Sequence, residues 1–198
     1  MGARTVPADR VANAPGLIPS RPGSRIVVVG STGAGKTRLA RRLGQILGIP
    51  HVELDELNWA PGWTMVTAEE FRRRASEVVA GDGWVVDGNY GSVRDIVWGH
   101  ADSIVWLDYG LRTVWWRLFR RTSYRILFRQ ELWHGNRETL RNQFRRDNLF
   151  LWAVQHRRHR RPEYLRLFAS GEPSHMTVIH LRSPRQTREW LSSLMRDT

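Results

Sequence analysis

Two kinds of hydrophobic pattern alternate along the chain. Short runs rich in Val, Ile and Trp predict strands: Arg25-Ile26-Val27-Val28-Val29, "HVELD" ending at Asp55, Trp84-Val85-Val86-Asp87, "SIVWLDYG" ending near Asp108, and "HMTVIHLRS". Between them, apolar residues recur every three or four positions and predict helices. These cover residues 37–47 and 68–80, the stretch "LRTVWWRLFRRTSYRILF", residues 130–169, and a closing helix "PRQTREWLSSLMR". Thr67 followed by Glu70 is a capping box, which sets the start of the second of these helices. Strands alternating with helices predict an α/β fold, with a five-stranded parallel sheet covered on both faces. Ligands of such sheets bind outside the carboxyl ends of the strands. The segment 30–37, Asp55, Asp87, Asp108 and Arg182 all fall at those ends, so one shared cleft is expected there.

The strongest chemical signal follows the first strand. Gly30-Ser31-Thr32-Gly33-Ala34-Gly35-Lys36-Thr37 satisfies the phosphate-loop pattern G-x-x-x-x-G-K-[ST] at every fixed position. A strand precedes it and a helix follows, as phosphate binding at a helix N-terminus requires. A glycine-rich turn with no ligand would not need all four features together. The loop and the adjoining Arg38 are therefore expected to bind ATP. Among 31 lysines and arginines, Lys36 is the single lysine. Its slender, compact ammonium suits the β- and γ-phosphates better than a forked guanidinium. Thr37 should offer its hydroxyl to Mg²⁺, and Asp87, closing an apolar strand, should be its partner. A turn-capping acid before Gly88 is the plainer reading of Asp87.

Bulk composition narrows the class further. A chain of 198 residues with 41% hydrophobic content supports one domain with a real core. There is no cysteine, which removes disulfides and cysteine zinc sites and suits a reducing cytoplasm. No run approaches the about 18 apolar residues of a membrane span. Residues 1–24, rich in Pro, Gly and Ala, read as a flexible extension before a domain over 25–198. The net charge of +12 is concentrated: residues 112–166 hold 15 arginines against four acids. Such a block marks contact with a polyanion, whether nucleotide phosphates, nucleic acid or an acidic membrane surface. Within it, residues 125–161 are expected to form a helical lid, with Arg137, Arg141 and Arg145 along one helix face.

Several motifs carry a family resemblance. Gly83-Trp84-Val85-Val86-Asp87-Gly88 resembles the glycine, apolar run and Asp-Gly of adenylate kinase and its relatives. Trp116-Arg117-Leu118-Phe119-Arg120-Arg121 is similar to their lid-entry helix. More closely, "HVELDELNWAPGW" and "WVVDGNY" resemble a bacterial group of topology modulation, or FlaR-like, proteins of the nucleoside-monophosphate-kinase type. The likeness spans about residues 25–195. It implies a phosphate-loop NTPase fold with an arginine-rich lid and the use of ATP. It implies that Arg117 lies against adenine, that Arg121 contacts the transferring phosphate, and that Arg94 meets an acceptor phosphate. Arg137 is the further lid arginine expected at the phosphates, and Arg182 an expected nucleotide contact. The typical "DGFPR" is "DGNYG" here, a departure from nucleoside-monophosphate acceptors. An acid ending the second strand is instead similar to shikimate- and gluconate-type kinases, where it binds the acceptor hydroxyl. On that reading Asp55 is base or orienter, with Trp59 and Asn89 beside the acceptor. A surface acid between Glu53 and Glu56 is the plainer reading of Asp55. The expected activity is transfer of the ATP γ-phosphate to a small acceptor. An ATP-binding protein acting on nucleic acid is the alternative, and a basic aromatic helix on an acidic membrane is the third reading.

Overall fold

The computed structural model describes residues 21–127, 160–170 and 175–196. Residues 1–20 of the expected extension over 1–24, the greater part of the expected lid, and Arg137 lie outside the described residues.

Five parallel strands form the sheet: β1 (Arg25–Gly30), β2 (His51–Glu53), β5 (Trp84–Asp87), β6 (Ser103–Leu107) and β7 (Thr177–Leu181). Their order is β2-β5-β1-β6-β7, so the strand that feeds the phosphate loop is central. Its continuous apolar sequence follows from this position, because side chains alternate between two covered faces. Val27 and Val29 join Val86, Ile104 and Trp106 on one face, with Phe71 and Ala75 of α3 (Ala68–Val79) and Val97 of α4 (Arg94–His100). Tyr164 and Phe168 of α6, residues 160–169, complete that layer. Ile26 and Val28 join Val85, Val105 and Ile179 on the other face. Leu39 and Leu43 of α1 (Lys36–Leu47) and Trp190 of α7 (Pro184–Arg196) cover them. Thr67 caps the helix, its Oγ1 accepting from Glu70 N–H at 3.2 Å, but the Glu70 carboxylate does not complete the expected box and instead accepts from Arg73 and Arg74.

One feature differs from the expectations and two go beyond them. The second strand stops at Glu53, and Asp55 lies in the first turn of a short helix, α2 (Leu54–Asn58). Leu54 is the cause: it is 3% exposed and turns inward over Gly88. Next, Trp59–Ala60 (β3) and Thr64–Met65 (β4) pair antiparallel around a turn over Pro61–Trp63, a hairpin too short to leave a periodic signal. Finally, the tryptophans divide between core and surface. Trp84, Trp106 and Trp190 are buried, but Trp115 and Trp116 are 45% and 64% exposed on α5 (Leu111–Leu127). The 3.6-residue period puts Val114 and Leu118 inward and those rings outward.

Candidate functional site

The phosphate loop joins β1 to α1. Gly35 sits at φ 92° as the residue preceding the helix, a left-handed conformation that glycine adopts without strain. Ala34 N–H donates to Ser31 O at 3.1 Å, and Lys36 Nζ lies 3.4 Å from the same oxygen. Asn89 buckles the start of the loop to the end of β5. Its Nδ2 donates to Gly30 O at 2.5 Å and its Oδ1 accepts from Gly30 N–H at 3.3 Å. The amide expected beside the acceptor is thus engaged with the loop backbone.

Parallel pairing sets Asp87 of β5 between Val28 of β1 and Glu53 of β2. Thr37 Oγ1 donates to Asp87 Oδ1 at 3.1 Å, so the two expected metal residues meet. His51 Nε2 lies 2.8 Å from the other oxygen, Oδ2. Among the described residues no three His, Cys, Asp or Glu side chains group as a metal cage. Two hard oxygen donors beside a phosphate loop nevertheless fit Mg²⁺, which is commonly held by one or two protein ligands together with substrate phosphates. Burial raises the Glu53 carboxyl pKa, the neighbouring Asp87 adds to this, and His51 and Arg41 oppose it.

Positive charge converges on the loop. Burial draws the Lys36 ammonium below its ordinary pKa of 10.5; Asp87 and Asp55 oppose this, while Arg121 and Arg160 reinforce it. Arg117 donates to Ala34 O at 2.6 Å and lies 5.0 Å over the Tyr109 ring. Arg160 reaches the loop by donating to Asn89 O at 2.9 Å. Its neighbour Arg161 is anchored to Asp108 at 2.9 and 3.0 Å, and His180 meets the same carboxylate at 3.2 Å. Burial alone would raise the Asp108 pKa, but hydrogen bonds from His180 and Arg161 outweigh it and hold the carboxyl low.

Across the cleft, Tyr90 OH donates to Asp55 Oδ1 at 2.5 Å. Burial and then the Asp55 charge push the phenol pKa well up, so it stays a donor, although hydrogen bonds with Asn58 and Trp59 oppose the shift. Trp59 therefore stands beside the Asp55–Tyr90 pair. A narrow recess beneath them is lined by Leu54, Asn89, Tyr90, Arg94, Arg160 and Tyr164. Arg94 is held there by Glu163 at 2.5 Å and lies 5.0 Å over Trp98. Arg38 and Arg182 are exposed. The Arg182 backbone N–H donates to Gln186 Oε1 at 2.8 Å.

His51, Tyr90, Arg160, Arg161 and His180 were not among the expected site residues, and Asp108 was expected at the cleft only through its place at a strand end. A histidine opening a predicted strand was a signal for His51. Arg160 and Arg161 carried none, since nothing in an arginine-dense block distinguishes the inward-facing members.

No family model and no curated protein sequence matches the chain. Solved structures do. A shikimate kinase from Bacteroides thetaiotaomicron aligns with TM-score 0.51 at 18% identity, over 87% of this chain and 97% of that one. A shikimate kinase from Acinetobacter baumannii, solved with shikimate, aligns with TM-score 0.54 at 16% identity, over 87% and 91%. The chain therefore has the α/β phosphate-loop kinase fold.

Proposed function

We propose that this chain is an ATP-dependent phosphotransferase that moves the γ-phosphoryl group to a hydroxyl of a small acceptor. The observation that supports it most is the Thr37–Asp87 pair directly behind the phosphate loop. The glycine-rich loop and Lys36 hold the phosphates. Thr37 and Asp87 would hold Mg²⁺, which would supply positive charge to the phosphate oxygens. Lys36, Arg121 and Arg160 stabilise the charge that spreads over the transferring group. Asp55, fixed by Tyr90, orients the acceptor hydroxyl. The acceptor oxygen bonds to the γ-phosphorus, the bond to the β,γ-bridging oxygen breaks, ADP leaves with that electron pair, and the hydroxyl proton passes to Asp55. Arg94 and Trp59 stand on the acceptor side of the same cleft.

The test is ADP release from Mg-ATP in the presence of nucleosides, nucleoside monophosphates, sugars and hydroxy acids. At least one class should stimulate release by ten-fold or more, and Asp55→Asn should remove about 100-fold of that rate. Uniform slow hydrolysis, indifferent to every acceptor, would count against phosphotransfer.

A further inference from the structure

His51 belongs to neither the phosphate loop nor the acceptor side. It opens β2, and its side chain is only 12% exposed. The register pairs His51 with Val85 and Glu53 with Asp87, so His51 and Asp87 are diagonal neighbours on one face of the sheet. That diagonal is bridged: Nε2 lies 2.8 Å from Asp87 Oδ2, and the Asp87 side chain is 4% exposed. A carboxylate oxygen only accepts, so Nε2 is the ring nitrogen that carries hydrogen toward it. The second oxygen, Oδ1, accepts from Thr37 Oγ1 at 3.1 Å. Each oxygen of Asp87 thus has its own donor, and the two donors come from different elements.

This matters because the terminal torsion of aspartate is broad and roughly two-fold. A hydroxyl alone does not distinguish which oxygen it meets. The histidine on the far oxygen fixes the carboxylate plane and turns Oδ1 toward Thr37. Glu53, the other carboxylate beside Asp87, is directed to Arg41 at 3.3 Å. The geometry points to His51 as the positioning residue of the metal site: its Nε2–H sets the Asp87 orientation that lets Asp87 and Thr37 hold one ion together. This rests on the reading that Thr37 and Asp87 hold Mg²⁺. Partners of this kind, one step behind a ligand, commonly change metal affinity 10- to 100-fold when removed.

The experiment is calorimetric titration of the full chain with ADP, with and without Mg²⁺, in wild type, His51→Gln and His51→Asn. Glutamine carries its amide nitrogen about as far as Nε2, and asparagine falls one methylene short. The expected result is that the Mg²⁺-dependent gain in ADP affinity stays within about three-fold of wild type in the Gln variant and drops about ten-fold or more in the Asn variant. Metal-free ADP affinity should be unchanged in both. Equal gains in the two variants would overturn the proposal. So would loss of metal-free affinity in step with the gain, or an Asn variant that no longer unfolds cooperatively, since either makes His51 a structural residue. Absence of any Mg²⁺-dependent gain in wild type is a different failure: it would remove the metal from Thr37 and Asp87, and this proposal with it.

Discussion

Lys36 shows why one residue resists the arginine preference of the whole chain. Its ammonium rests 3.4 Å from Ser31 O, inside a loop whose next turn is already the helix. Burial is what chiefly draws its pKa down; Asp87 and Asp55 oppose this, Arg121 and Arg160 reinforce it less, and a phosphate against the ammonium would offset the burial. A guanidinium at position 36 would add a planar fork to this crowded shell and displace the loop backbone or the other arginines. Lys36→Arg should therefore keep its melting temperature within a few degrees of wild type and lose about 100-fold or more in ATP turnover. Thermal unfolding beside a coupled ADP assay measures both. A Lys36→Arg enzyme of near-normal turnover would mean that charge alone, not a slender cation, is what the loop needs.

At the level of elements, what was legible depended on how local the cause was. The phosphate loop, α1 and α3 announce themselves through contiguous motifs, and the buried strands through apolar runs that two covered faces demand. The bend after β2 was not legible, because its cause is a long-range contact. Leu54 turns in over Gly88, which sits at φ +147° at the end of β5. A Cβ there would meet Leu54 Cβ at 2.7 Å. The junction that carries Asp87 and the helix that carries Asp55 thus interlock through one missing methyl group. Gly88→Ala should destabilise the protein by about 2–4 kcal/mol, combining backbone strain with overpacking. Denaturant unfolding of the two proteins measures it, and a loss under about 1 kcal/mol would show that α2 shifts freely. The far side of the cleft was equally hidden: Tyr90 reaches Asp55 across 35 positions of sequence, and Arg160 reaches Asn89 across 71.

For the molecule as a whole, the question is what a net charge of +12 serves. Counting arginines favours a polyanion partner, but the placement of the described ones divides them. Arg117 and Arg161 are engaged by Ala34 and Asp108, and Arg160 by Asn89, all around the cleft at the strand ends. Arg112, Arg120 and Arg166 face outward. Arginines with fixed protein partners act at short range, where salt screens little. Outward ones raise the potential around the cleft and speed capture of an anionic nucleotide, an effect that salt weakens gradually. These two populations predict a shallow salt response. Between 50 and 200 mM salt, kcat/KM for ATP should fall by less than about ten-fold, with kcat nearly constant. A protein gripping six to ten nucleic-acid phosphates would instead lose about 10³- to 10⁵-fold in affinity over the same interval. Measuring ATP turnover with and without single-stranded and duplex oligonucleotides across that range separates the two cases. Oligonucleotide-stimulated turnover that collapses steeply with salt would transfer the basic surface, and the activity with it, to nucleic acid.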